Sequence, residues 1–460
     1  MNTLQQLTLA AAVTAAAAAT EARAQSDLQL PLMYGAQGLT ANPAALQDHK
    51  VTISLPGVSF GTATPFAVAD VGEVRDGTLY LDAARFTDAV AGVERDPSMV
   101  ARIETLGFNY STGKWQAGLS HAFRTDGTLG IPEGLAQLAA YGNGPYVGQT
   151  LEVAPRLRAQ AYQEFALHGA YAIADGLTVG ARLKYLAGAG ALVAQDASLG
   201  IYTDPDLYQA TVTSDATLRS AGVPVTFDGF GVDIGGLDGL AGAGSGFGFD
   251  LGATYRPTEE LEFGFAVRDI GSINWDRDAR AHTSAGTYTF EGYRGDVFSE
   301  EGTAQFDVAG VLDSVIAAVE FESAAEAFRT DLPATLQATA SYRFAERTRL
   351  DATVVATEGE RWRSGFGVGL TQGFGKFGKF GQVGVLGGAR TGGAFVGANL
   401  TVDVFGPQFY VACDNLLTAF NMAGGRDAHV RAGINLAFGA IKKRRSVKGF
   451  YDTKVEGINK

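Results

Sequence analysis

The nine residues LQATASYRF, Leu336 to Phe344, decide the fold class. Leu336, Ala338, Ala340, Tyr342 and Phe344 are apolar, and Gln337, Thr339, Ser341 and Arg343 between them are polar. A period of two puts those sets on opposite faces of an extended strand, whereas a helix would mix them. The pattern continues on both sides. Leu350, Ala352, Val354 and Ala356 alternate with Asp351 and Thr353, and Trp362, Phe366, Val368 and Leu370 with Arg363, Gly365, Gly367 and Gly369. Towards the N-terminus, Trp115, Ala117, Leu119 and Phe123 oppose Lys114, Gln116, Ser120 and Arg124. Leu177, Val179, Ala181, Leu183 and Tyr185 oppose Arg182 and Lys184, and Phe247, Phe249, Leu251 and Tyr255 oppose Asp250 and Arg256. Val430, Ala432, Ile434, Leu436 and Phe438 close the series against Arg431 and Asn435.

A soluble sandwich also alternates, but its polar parity faces water and is rich in Lys, Glu and Thr. Here that parity is crowded with Gly, Ala, Ser and Arg, which suits a packed lumen. The apolar parity carries aromatics near strand ends (Trp115, Tyr185, Tyr342, Trp362), where the two girdles of a membrane barrel lie. Ser111-Thr112-Gly113, Ala174-Asp175-Gly176 and Ala345-Glu346-Arg347 read as tight hairpin turns, with longer irregular stretches between them. The expectation is an all-β fold: a transmembrane antiparallel β-barrel of about 14 strands, 12 to 16 being defensible, with a few short loop helices. Leu312 to Phe328 has helical spacing and is expected on a loop. Residues 221–252 are glycine-dense, and Asp228, Asp233 and Asp238 within them lack the spacing of an EF-hand loop, so they read as solvated.

Composition narrows the rest. The chain has 460 residues, 61 of them glycine, and proline numbers only 13 with no G-X-Y period, which excludes collagen. A 46% hydrophobic share, with 28 Phe and 16 Tyr, excludes a disordered chain. A net charge of −13 argues against nucleic acid as a partner, because phosphate binding needs a basic face. Cys413 alone cannot form a disulfide framework.

Leu7 to Thr20 is an uncharged, alanine-rich run, too short to span a bilayer and followed by Ala22 and Ala24 as small residues for cleavage. Residues 1–24 are therefore expected to be a secretory signal. Met1 to Gln6 holds no Lys or Arg, so an anchor helix or a plain alanine helix stays open. Beyond it, charged or strongly polar residues interrupt every apolar run before it could cross a membrane as a helix.

Four stretches carry a family resemblance: GLTANPAAL leading into HKVTISLPGVSF (38–60), DGTLYLDAARF (76–86), EFALHGAYAIADGLTVGARLKYLAGAG (164–190), and FGPQFYVACDNLLTAF with RAGINLAFGAIKKRR (405–445). Together they resemble an uncharacterised Bacteroidota-type outer-membrane protein family related to the long-chain fatty-acid transporter (FadL) superfamily. Asn42-Pro43-Ala44 is similar to the NPA element of those transporters, and LPATLQATASYRF (332–344) to one of their strand entries. Residues 220–329 match nothing in that family. The resemblance implies a monomeric barrel with its N-terminus folded inside as a hatch. It implies passage of a hydrophobic small molecule through the lumen towards a lateral opening. Asn42, Pro43 and Ala44 carry over as hatch positions. Proline supplies no ladder donor and restricts the residue before it, so 25–47 is expected as a turn-rich plug. The barrel is expected over 48–440 and a basic periplasmic tail over 441–460.

The search for chemistry is mostly negative. His49, His121, His168, His282 and His429 show no HExxH spacing, and there is no CxxC pair, GxSxG elbow or phosphate loop. Ser120 and His121 point to opposite faces of a strand and cannot pair catalytically, which leaves His121 as a girdle residue. No enzyme activity, metal or cofactor is expected. Phased by the alternation, Arg182, Lys184, Arg256, Arg268, Arg343, Arg363 and Arg431 point into the lumen beside Glu164, Asp250, Glu262, Asp351 and Asp403. They read as an Arg–carboxylate network bracing a closed lumen, or as a hold on an anionic head group. Ile441 to Lys460 carries +5, leaving −18 on the rest of the mature chain. The tail could meet anionic head groups or an acidic periplasmic partner, and the acidic outer part could meet cations that bridge lipopolysaccharide.

Overall fold

The computed structural model describes residues 28–441 apart from 31, 32, 34, 35, 76, 77, 92–95, 195, 208, 228–231, 235–238, 291–318, 359–362, 376–379, 391, 392, 405 and 422. The expected signal lies outside them, as do Trp362 and all of the expected basic tail but Ile441.

Fourteen antiparallel strands form a closed wall. In chain order they are β1 (His49–Ala63), β2 (Ser98–Ser111), β3 (Trp115–Gly130), β4 (Arg156–Ala174), β5 (Leu177–Ala194), β6 (Gly244–Tyr255) and β7 (Leu261–Trp275). The circuit continues through β8 (Thr335–Ala345), β9 (Thr348–Thr357), β10 (Arg363–Phe374), β11 (Gly381–Arg390), β12 (Gly393–Asp403), β13 (Pro407–Cys413) and β14 (Asp427–Ala440). Each pairs with its neighbours in sequence, and β14 closes on β1 from His49↔Ala440 to Ala63↔Asp427. Closure leaves no open edge in the wall, so every strand's backbone groups find partners. Among the described residues, no helix is long and apolar enough to cross a membrane.

The period of two is visible in three dimensions. Leu119, Leu167, Leu183, Phe247, Phe265, Val368 and Leu370 are more than half exposed or nearly so on the outer face. Their neighbours Gln116, Glu164, Arg182, Lys184, Asp250, Gln337, Asp351 and Thr353 are buried inside. Tight turns at 112–114, 175–176 and 346–347 join strands at one end. All the long connections leave from the other.

The described residues of 28–47 lie inside the wall and touch it on opposite sides. Gln29 donates to the Cys413 carbonyl and accepts from Asn399, while Gln37 and Asn435 exchange hydrogen bonds. Gln116 of β3 donates to the Ala45 carbonyl. Asn42 donates to the carbonyls of Ala253 on β6 and Phe265 on β7, and its Oδ1 accepts the Ala44 amide. That last bond is the local turn an Asn makes with its own backbone. Gly252 is what lets Asn42 sit so close: a Cβ there would lie 2.1 Å from Asn42 Oδ1. Before the turn, Gln37–Ala41 forms one short helix, α1.

Beyond the long-connection end, strands Thr150–Glu152, Ser198–Thr203, Ala210–Ala221, Arg280–Phe290 and Glu322–Ala325 extend the sheet outwards. They share an apolar core of Leu135, Leu151, Leu199, Ile201 and Val212 with the helix Glu133–Tyr141. This outer layer corrects one expectation. The described part of Leu312 to Phe328 contains the strand Glu322–Ala325, paired with Arg280–Thr283, and no helix; 312–318 lie outside the described residues. Pairing with a neighbouring edge outweighs a local helical spacing of apolar residues. Residues 220–329, which carried no family resemblance, include two wall strands, β6 and β7.

Candidate functional site

The largest group of interior charges lies on one side, across β2 to β7 and β14. Glu164 lies 3.2 Å from Arg102, 2.8 Å from Arg124 and 3.8 Å from Lys184. Lys184 is 2.6 Å from both Asp250 and Asp269, and Asp269 also meets Arg124 at 2.6 Å. Arg182 reaches Asp250 at 3.7 Å. Arg431 reaches Glu104 at 3.4 Å, and Glu104 meets Arg102 at 3.2 Å. Buried carboxylates and cations in such proximity satisfy one another, which is what makes their burial tolerable.

A bulge builds part of this cluster. Between Phe249↔Ile270 and Leu251↔Val267 the register of β6 and β7 shifts, so Asp250 faces both Arg268 and Asp269. Asp269 takes φ 60, and its amide donates to Asp250 Oδ1 at 2.7 Å. The extra residue turns two consecutive side chains inward, where strict alternation would send one outside. Strict alternation therefore hides Asp269. Arg124 was legible as the inward parity of β3, but Arg102 and Glu104 were not, because the bulge between Glu104 and Leu106 reverses the parity of β2: Ile103 faces out on one side of it, Leu106, Phe108 and Tyr110 on the other.

The other sequence-derived positions separate into three groups. Arg182 and Arg268 donate to the Leu39 and Thr40 carbonyls, at 3.0 and 3.3 Å, so two cations meet the last turn of α1, the negative end of its dipole. Asp351 lies apart on β9, where Ser341 and Thr371 each donate to it at 2.6 Å and Arg349 pairs with it at 2.6 Å. Arg256 and Arg343 stand at the tight-turn rim, not in the interior. Arg256 follows the end of β6 and pairs with Glu262 across the turn, and Arg343 donates to the Glu259 carbonyl. The alternation gives a residue's parity but not its height, and both lie where the strands run out. The Arg363 side chain lies outside the described residues. Asn42 sits against β6 and β7, and Pro43 against Gly180 of β5, where a Cβ would lie 2.4 Å from the Pro43 carbonyl oxygen.

Two hollows meet at the wall. The larger, about 780 Å3, is an apolar groove lined by Leu119, Phe165, Leu183, Tyr185, Phe247 and Phe249 on the outer face, with Gly248 and Gly271 in its floor. The smaller, about 40 Å3, lies inside, between α1 and β1 to β5. Leu119, Ser120 and His121 of β3 line both. The wall is irregular beside them. The β2–β3 register shifts between Glu104 and Leu106, and the β1–β14 register between Ser54 and Gly57, next to Pro56. A bulge and a proline both remove ladder bonds. On the outer face His121 joins Thr105 at 2.7 Å and Gln163 at 3.0 Å, a polar chain within an apolar surface.

Solved structures with a similar arrangement include the toluene transporter TbuX of Ralstonia pickettii, at 13% identity, TM-score 0.43, over 88% of this chain and 94% of that one. The toluene transporter TodX of Pseudomonas putida matches at 12% and TM-score 0.43, over 88% and 94%. A Pseudomonas aeruginosa FadL homologue matches at 11% and TM-score 0.45, over 91% and 99%. No curated protein matches by sequence. One family profile, described as a family of unknown function, matches residues 43–414, which takes in the whole of the first thirteen wall strands; this chain belongs to that family, DUF5723.

Proposed function

We propose that the chain is an outer-membrane barrel that admits hydrophobic or amphipathic small molecules, with residues 28–47 as its hatch. The observation that carries this reading is the meeting of the two hollows. An apolar groove on the outer face and a hollow beneath α1 share Leu119, Ser120 and His121, so a molecule under the hatch is one strand away from the surrounding lipid. The outward Leu, Phe and Val residues gain nothing from water, and a membrane is the solvent that suits them. In the same reading the tight-turn end faces the periplasm, the basic tail meets inner-leaflet head groups or an acidic partner, and the outer layer stands above the membrane among lipopolysaccharide. The barrel works as a monomer, without a metal or cofactor, and does no catalysis.

A non-transporting barrel that supports an envelope complex is favoured by one observation: the charge cluster fills the interior between β2 and β7 with mutually paired side chains. The two readings separate on one variant. Ser120→Phe places a ring where the hollows meet. It should lower decane uptake by cells to the level of cells lacking the barrel, while the purified protein keeps its heat-modifiable mobility. Unchanged uptake with intact folding would leave the supporting role standing.

A further inference from the structure

The small hollow beneath α1 has a hydrogen-bonding inventory that selects a head group. Asn109, Gly118, His168 and Arg182 form one row across β2 to β5, each the register partner of the next. The three polar side chains are at least nine-tenths buried and line the hollow. Gly118 makes the row possible, because a Cβ there would lie 2.6 Å from His168 Cε1. Three atoms of the row have no hydrogen-bond partner among the described residues: Asn109 Nδ2, His168 Nδ1 and Arg182 Nε. A buried polar group left unmet is costly, so three side by side call for a ligand.

Their roles follow from the bonds already made. His168 Nε2 lies 2.9 Å from Asn109 Oδ1, an oxygen that only accepts, so Nε2 donates. The neutral ring then offers Nδ1 as an acceptor. Asn109 Nδ2 and Arg182 Nε are donors. The hollow therefore asks for one donor and two acceptor lone pairs, which is the inventory of a hydroxyl. The two cations that line the hollow each already lie beside a carboxylate, Arg182 beside Asp250 at 3.7 Å and Arg102 beside Glu104 at 3.2 Å. About 40 Å3 suits a head this compact, since a water's share of liquid volume is about 30 Å3. Water would bring a second donor for which this row has no acceptor. Leu119 and His121, at the boundary with the outer groove, give the attached chain an apolar way out.

We propose that Asn109, His168 and Arg182 form a binding site for the hydroxyl of an uncharged amphipath, with its hydrocarbon chain leading through the wall into the outer groove. This rests on the reading that the wall passes apolar molecules. The test is retention of 1-decanol, decane and decanoate by the full chain in detergent, read by native mass spectrometry. Decanol should be held about tenfold more tightly than decane, the factor one well-made hydrogen bond supports, and decanoate no better than decane. Asn109→Leu, or His168→Leu if the first folds poorly, should erase the preference for decanol and leave decane retention unchanged. Equal retention of decanol and decane would overturn the hydroxyl site and leave the passage standing. Stronger retention of decanoate would overturn it in favour of an anion site. Retention of none would remove both the site and the passage.

Discussion

At the scale of single residues, Lys184 is the most consequential side chain in the interior. Its ammonium sits between Asp250, Asp269 and Glu164, and the residue is 4% exposed. Replacing it with Met keeps the volume but leaves buried carboxylates facing one another, and removing one partner of a buried pair typically costs about 3–5 kcal/mol. Lys184→Met should lower stability by that order in urea unfolding of the detergent-solubilised barrel. Lys184→Met with Asp269→Asn should recover part of the loss, because the second change removes a charge the first had stranded. If the double variant loses the sum of the two single losses, the ion pair is not coupled and the network does not brace the lumen. Asp70 offers a test outside the wall. The Ala67 backbone amide donates to its carboxylate at 2.8 Å and Arg426 adds an ion pair at 2.9 Å, which together hold its pKa below the ordinary value of 3.8. A carboxylate with a depressed pKa stabilises the fold above its unfolded value, and that contribution fades as pH falls through the folded one. The contact between residues 64–72 and 413–427 should therefore loosen only below about pH 4, seen as faster exchange of the Ala67 amide. Asp70→Asn should show that faster exchange already at pH 7.

At the scale of elements, the wall strands were legible because each has one buried and one exposed face, and nothing else produces a sustained period of two. Val354 is an outward position of β9 between the inward Thr353 and Val355, both 1% exposed. Arg facing lipid near mid-membrane costs about 2–4 kcal/mol, so Val354→Arg should fail to assemble, while Thr353→Ser should assemble normally. Normal heat-modifiability of Val354→Arg would mean that β9 does not face lipid. The outer layer was not legible, because Arg280–Phe290 pairs with Ala210–Ser220 and Ser198–Thr203 with Thr150–Glu152, partners that lie far along the chain. Leu312 to Phe328 misleads for a related reason: its apolar spacing is a local signal, and the pairing of Glu322–Ala325 with Arg280–Thr283 is not. The site was half-legible. Arg182, Lys184 and Asp250 follow from parity alone. Asp269 requires a bulge, and the Asn109–His168–Arg182 row requires knowing which strands pair and in what register.

At the scale of the whole molecule, the wall and the segment inside it are built from separate bonds. No wall pairing uses residues 28–47, because the circuit closes from His49 onwards on β14. The segment is held instead by side chains, among them Arg182, Arg268, Gln116, Gln29 and Asn42. A net hydrogen bond of this kind contributes about 0.5–1.5 kcal/mol, so the hold is a sum of modest terms that a population of openings can overcome. Deleting residues 28–46 while keeping the first 27 should therefore leave a closed, heat-modifiable barrel. It should also free the Arg182 and Arg268 guanidiniums from the α1 carbonyls and raise the swelling rate of liposomes in small sugars. A folded deletion variant with unchanged swelling would show that the interior side chains close the lumen without the segment, and the hatch would lose its function. Failure of the variant to fold would show that the segment organises β5, β6 and β7 during assembly, making it a structural part of the wall.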